Sequence, residues 1–397
     1  MIETWRWFGP SDSISLQRIK QAGATGIVTS LHEVPTGELW SKAAILEHKS
    51  LIESVGLTWE VIESIPVHNS IKTRTGNYVK LIENYKHSIV NAAECGIATI
   101  CYNFMPVVDW TRTNLMYKLP NNSHALRFEM TDFAAYDIFM LKRDGARGSY
   151  SSEVIDKAER SFAAMNGDAR RALEKNIIAG LPGGQGSYVR DSIRVAIEEF
   201  IDLGTEGFRA NLFAFLKEVI PVAQRVGAKM CIHPDDPPFS LFGLPRIVST
   251  ADDARKLLAA CPSPANGLTM CAGSYGARGD NDLVAMVKEF GSRVYFVHLR
   301  NVTREADGSF YESDHLDGDN DMVGLIQAIL SEEQRRLKNK GDSETISIPM
   351  RPDHGHLLDD ELNDKSVKPG YGYTGRLKGL AELRGVTHAI TSMMLRP

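Results

Sequence analysis

Arg351-Pro352-Asp353-His354-Gly355-His356 follows directly on the apolar run Ile346-Ser347-Ile348-Pro349-Met350, so a carboxylate and two imidazoles stand where a buried strand should end. The arrangement occurs three times upstream: Met230-Cys231-Ile232-His233, Leu268-Thr269-Met270-Cys271 and Val294-Tyr295-Phe296-Val297-His298 each finish an apolar run on a metal-ligating residue type. In a barrel of parallel strands, all strand C-termini open on one face, so His233, Cys271, His298 and Asp353 can converge on one ion. Taken singly, a buried Cys or His is more often structural than ligating. Four of them at the ends of four consecutive strands argue for a metal site.

The donor set constrains the ion. One thiolate, two imidazoles and one carboxylate suit Zn(II), Fe(II), Co(II) or Mn(II) better than Mg(II) or Ca(II), which prefer oxygen. Affinity alone favours zinc, whereas a catalytic ion with positions left open for substrate oxygens favours Mn(II) or Fe(II).

Around these ligands stand polar residues that are costly to bury without a task. Arg300 and Asn301 follow His298, while Arg351 precedes Asp353 and His354 and His356 follow it. Such a rim suits an anionic, hydroxyl-rich substrate, because arginine grips a carboxylate with two charge-assisted hydrogen bonds and amides address hydroxyls. The competing reading of Arg300 and Arg351 is a structural ion pair at the mouth. Trp7, His32 and Asn103 end the first, second and fourth predicted strands and should face the same mouth. Asp235 and Asp236, in the proline-rich loop after His233, read as loop or substrate-contact residues rather than ligands. The glycine-rich stretch Lys368-Pro369-Gly370-Tyr371-Gly372-Tyr373-Thr374-Gly375-Arg376 brings two phenols, each able to move a proton or to pack in a turn.

Eight short apolar runs can position these groups: 5–8, 26–31, 58–63, 99–104, 229–233, 268–272, 294–299 and 346–353. They alternate with amphipathic stretches, the pattern of βα units, and eight is the number of a (β/α)8 TIM barrel. Asp321 to Leu337 reads as one flanking helix, and the stripe Phe208, Leu212, Phe215, Leu216, Val219, Ile220 as another that Pro221 should kink or restart. The roughly one hundred residues between the fourth and fifth strands exceed any ordinary βα loop, so a large, mainly helical insertion is expected at about 109–203. It opens with a hairpin or lid around Pro120-Asn121-Asn122-Ser123. It is broken at Gly180-Leu181-Pro182-Gly183-Gly184-Gln185-Gly186, which lacks a P-loop ending and reads as a flexible turn. The whole of 1–397 is expected to be one catalytic barrel domain carrying this insertion.

Bulk properties exclude several classes. A net charge of −5 with no basic run disfavours nucleic acid, and no stretch has the roughly 18 unbroken apolar residues of a membrane span. Five cysteines without a CxxC pair argue for reduced thiols. With no leader pattern at Met1-Ile2-Glu3-Thr4-Trp5, the expectation is a cytoplasmic enzyme, a homo-oligomer (dimer or higher) with a small-molecule substrate.

Cys-Ile-His-Pro-Asp-Asp-Pro-Pro at 231–238, Val-His-Leu-Arg-Asn-Val at 297–302, Met-Arg-Pro-Asp-His-Gly at 350–355 and Pro-Gly-Tyr-Gly at 369–372 together resemble the D-mannonate dehydratase family, over essentially the whole chain. The resemblance implies a barrel similar to that of xylose isomerase. It implies one Mn(II) or Fe(II) per active site, held by His233, Cys271, His298 and Asp353, and dehydration of D-mannonate to 2-keto-3-deoxy-D-gluconate in hexuronate catabolism. It also implies proton transfer by His354 and Tyr371, in either order, with Arg300 neutralising substrate charge. Trp7, His32, Asn103, Asn301, Arg351 and Tyr373 are the substrate-binding candidates. The competing readings are a sugar isomerase or epimerase on the same barrel and a sugar-acid-binding protein with a structural metal.

Overall fold

Short segments rich in Val, Ile, Cys and Thr pair in parallel and close on themselves. In a computed structural model that describes residues 1–178, 190–339 and 346–394, the strands are β1 (Ile2–Arg6), β2 (Gly26–Thr29), β3 (Thr58–Glu63), β4 (Thr99–Tyr102), β5 (Asn114–Lys118), β6 (His124–Phe128), β7 (Lys229–Ile232), β8 (Asn266–Cys271), β9 (Val294–His298), β10 (Val302–Arg304), β11 (Phe310–Glu312) and β12 (Pro349–Arg351). Eight of them form a closed barrel in the order β1-β12-β9-β8-β7-β4-β3-β2. All eight predicted runs supply a strand, so the chain is a TIM barrel. The glycine-rich stretch 180–186 lies outside the described residues.

Parallel barrel strands are covered on both faces and read as continuous apolar runs. β8 is buried at all six positions. Inside the barrel, Val28, Val61, Cys101, Cys231 and Phe296 form a small apolar plug, and the Phe296 ring meets the His298 ring edge-on at 4.6 Å. The register places ligand candidates side by side: Cys271 is opposite His298, and His298 is opposite Arg351.

Flanking helices start where capping residues stand. Asp321 accepts from the Gly324 amide at 2.9 Å to open the helix Met322–Lys338, and Thr250 with Asp253 forms a capping box for Ala251–Ala260. Pro221 does not break its segment. One helix runs from Gly204 to Arg225 with Pro221 inside. A proline there costs about 3 kcal/mol, but the buried stripe Phe208, Leu212, Phe215, Leu216, Val219 and Ile220 gains about 1.5–3 kcal/mol per side chain, so packing wins.

Between β4 and β7 the chain forms the β5–β6 hairpin and then the helices Met130–Ala135, Ser152–Ala164, Gly167–Ile178 and Arg190–Ile201. The hairpin turns where Pro120-Asn121-Asn122-Ser123 stands: Asn122 has φ +67°, and Asn121 Oδ1 accepts from the Ser123 amide at 3.0 Å. β6 also pairs antiparallel with β11, which completes a second sheet in the order β10-β11-β6-β5.

His48 is sandwiched between Trp7 and Trp59, with centroids 5.2 and 5.1 Å away, and burial pushes its pKa down to about 4. Below pH 6.5 the unfolded chain therefore binds a proton that the folded chain refuses. This contribution to stability is intact above pH 6.5 and is lost as pH falls towards 4, at up to about 1.4 kcal/mol per unit. His48→Gln is expected to flatten the acid limb of melting temperature against pH over that window. An unchanged limb would contradict the assignment.

Candidate active site

The four ligand candidates converge at the C-terminal mouth of the barrel. His233 Nε2 lies 3.3 Å from His298 Nδ1. Asp353 Oδ2 lies 3.8 Å from that same nitrogen and 3.9 Å from Cys271 Sγ. One ligand atom each from His233, Cys271 and His298 fits within 4.8 Å. Ligands held about 2.0–2.3 Å from a single ion at tetrahedral angles stand about 3.3–3.8 Å apart, so these residues fit a divalent cation. Asp353 sits at φ +71°, a left-handed conformation that costs a non-glycine residue free energy and that short acidic side chains tolerate best.

Electrostatics agree with a cation site. Burial pushes the Cys271 thiol up to about 12 against the pull of Arg300, so a positive charge is needed to hold it as thiolate. Burial likewise keeps His298 well below its ordinary value, hence neutral and able to ligate. Burial opposes ionisation of Asp353, but Arg351, His354 and Arg300 hold it well below the usual carboxylate range.

Around the ligands lies a buried ionic lattice. Arg351 engages Glu63 through Nε (3.1 Å) and Nη2 (2.9 Å) and Asp353 through Nη1, and Arg6 reaches Glu63 at 3.1 Å. Glu63 in turn stands 3.5 Å from His298 Nε2. Arg300 pairs with Asp236, with Glu312 at 3.2 Å and with Asp353 at 3.4 Å. Arg112, from the segment before β5, holds Asp236 at 2.6 Å and Glu312 at 3.1 Å. Ser274 Oγ is 3.1 Å from Cys271 Sγ and 3.0 Å from Asp236 Oδ2. Gly273 must lack a side chain, because a Cβ would collide with the Arg300 guanidinium.

Next to Asp353, His354 links two groups. Its Nδ1 is 2.8 Å from both oxygens of Glu312, and its Nε2 is 2.9 Å from the Tyr371 hydroxyl. Burial pushes the Tyr371 phenol above its ordinary value, so it is protonated at neutral pH. Phe8 packs edge-on against Tyr371 at 4.9 Å, and Trp110 edge-on against His354 at 6.0 Å.

The sequence-predicted rim divides. His233, Cys271, His298, Arg300, Asp353, His354 and Tyr371 come together. His32 is half-buried beside Phe8, its pKa pushed down to about 3 by desolvation and by Arg6, with Nε2 lacking a hydrogen-bond partner among the described residues. Asn103 directly follows β4 and is half-buried. Four of the candidates are engaged within the chain. Arg351 spends its guanidinium on Glu63 and Asp353, which is the structural ion-pair alternative. Asn301 donates to the His315 and Asn320 carbonyls and accepts from the Val302 and Asn320 amides, so its amide fixes a loop. Tyr373 packs on Trp5 and Arg18 and donates to the Arg18 carbonyl. Trp7 packs on His48. His356 is structural, bonded to the Glu312 carbonyl at 2.8 Å.

Glu63, Arg112 and Glu312 escaped the sequence reading as site residues, whereas Asp236, expected in a loop or at the substrate, is held by Arg112 and Arg300. Glu63 had a signal, since it ends a predicted strand; Arg112 and Glu312 lie in irregular or very short elements that carry no periodicity.

The family model of D-mannonate dehydratase (UxuA) matches residues 1–396. The chain belongs to the D-mannonate dehydratase family. It is 71% identical over 390 residues to the mannonate dehydratase of Saccharophagus degradans, covering 98% of each chain, and 54% identical to mannonate dehydratase 2 of Agrobacterium fabrum, covering 100% of this chain and 99% of that one. The crystal structure of mannonate dehydratase from Streptococcus suis is similar with a TM-score of 0.77 at 34% identity, covering 99% of this chain and 94% of that one. Among the described residues, no helix is long and apolar enough to cross a membrane.

Proposed function

We propose that this chain is a hydro-lyase that converts D-mannonate to 2-keto-3-deoxy-D-gluconate and water, a step of hexuronate catabolism. In this reading one Mn(II) or Fe(II) is held by His233, Cys271, His298 and Asp353. The observation that carries it is the convergence of His233, Cys271 and His298, with Asp353 against the last two, beside the His354–Tyr371 pair, in a chain that matches the dehydratase family from end to end.

Charge balance supports an anionic substrate. The buried carboxylates Glu63, Asp236, Glu312 and Asp353 are matched by the buried guanidiniums Arg6, Arg112, Arg300 and Arg351. A divalent ion with the Cys271 thiolate leaves one net positive charge, which a sugar-acid carboxylate neutralises and a neutral sugar does not. When bound, the ion supplies positive charge against the negative charge that builds on the substrate as its C2 proton leaves.

The residues divide the proton work. His354 Nε2, a lone pair once Tyr371 turns its hydroxyl to substrate, takes the C2 proton. Tyr371 is protonated and gives its proton to the departing 3-hydroxyl, which leaves as water. The enol so formed takes a proton at C3 and becomes the 2-keto acid. Arg300 holds positive charge beside Asp353. The five cysteines are free thiols, which fits a cytoplasmic enzyme.

Incubation of a panel of aldonic acids with each divalent metal tests the reading. Formation of the 2-keto-3-deoxy acid from D-mannonate with Mn(II) or Fe(II) is expected; no product with either ion under anaerobic conditions would sink it.

A further inference from the structure

We infer that Glu312 is a positioning residue that fixes the tautomer of His354, and that the segment between β4 and β7 serves to hold Glu312 in place. This rests on the proton-transfer role of His354 proposed above. Glu312 ends β11, and β11 is paired to β6, so the carboxylate is mounted on a sheet that the intervening segment half builds. Arg112, from that same segment, reaches the carboxylate at 3.1 Å. Arg300 reaches it at 3.2 Å. Glu312 is buried, yet His354, Arg300 and Arg112 keep it ionised.

The geometry decides where the proton on His354 sits. Both oxygens of Glu312 are 2.8 Å from Nδ1. A carboxylate only accepts, so Nδ1 carries the hydrogen. Arg300 Nη1 also lies 3.2 Å from Nδ1, but it is farther away and already donates to Glu312. Nε2 is therefore the lone pair, facing Tyr371 and the metal-side mouth, as an acceptor of a substrate proton must be. The same logic fixes the histidine of a Ser-His-Asp triad, where an amide in place of the carboxylate selects the wrong tautomer.

Glu312→Gln tests this with little change in shape. Both arginines donate to Oε1, so the amide oxygen is held there and the NH2 group takes the place of Oε2, which also lies 2.8 Å from Nδ1. A donor at that distance opposes a hydrogen on Nδ1 and favours one on Nε2. With Zn(II)-loaded protein carrying 15N-histidine, and His354→Asn to assign the signal, wild type should show an Nδ1–H, Nε2-unprotonated His354. Glu312→Gln should show the reverse. With Mn(II), kcat for D-mannonate should fall about 10³- to 10⁴-fold, the scale of the triad precedent, while KM stays within about threefold. An Nε2–H or doubly protonated His354 in wild type overturns the inference without recourse to the variant, and so does a variant whose kcat stays within threefold. Absence of mannonate turnover by wild type would instead count against the proposed function, and the tautomer measurement would still decide the role of Glu312.

Discussion

Cys271→Ser is expected to lose bound metal and turnover together, with metal content falling below about a tenth of an ion per chain and activity by at least about 10³-fold. The substitution is nearly isosteric at the end of a fully buried strand, and Ser274 Oγ, now 3.1 Å from the sulfur, can bond to the new hydroxyl. The fold should therefore survive. What is lost is the donor: a serine hydroxyl does not ionise near neutral pH, whereas a thiol beside a divalent cation does. Co(II)-loaded wild type should show a thiolate-to-metal charge-transfer band that the variant lacks. Full metal content in Cys271→Ser, with the band retained, would show that Cys271 is not a ligand.

Tyr371→Phe separates proton transfer from metal binding. The ring keeps its edge-on contact with Phe8, and only the hydroxyl 2.9 Å from His354 Nε2 is removed. Metal content should be unchanged, and kcat should fall about 10²- to 10⁴-fold, the usual worth of a positioned acid or base. A variant with wild-type kcat would remove Tyr371 from the chemistry and leave it as a packed aromatic of the glycine-rich turn.

The barrel and the residues that gather at its mouth were legible for a shared physical reason. A strand buried on both faces must be an unbroken apolar run, so a polar, metal-ligating residue at its end stands out, as Cys271 and His298 do. Residues that depend on tertiary pairing left no such mark. β10 and β11 are three residues each, too short for alternation to show, and their place follows from pairing with β6 across a distant part of the chain. Glu312 was hidden with them. Arg351 was visible, but its partner was not: Glu63 lies 288 residues away, and only barrel closure brings the two to 2.9 Å. Asn301 has a structural task that its polarity alone did not reveal. A buried amide earns its place equally well by bonding four backbone groups of a loop.

The account stands most directly on one comparison: the rate at which 2-keto-3-deoxy-D-gluconate forms from D-mannonate by metal-stripped protein, before and after anaerobic addition of one equivalent of Mn(II) or Fe(II) per chain. Negligible formation before addition and full turnover after it is the predicted result. Equal rates before and after, or no product with either ion, would contradict a metal-dependent dehydration at this site.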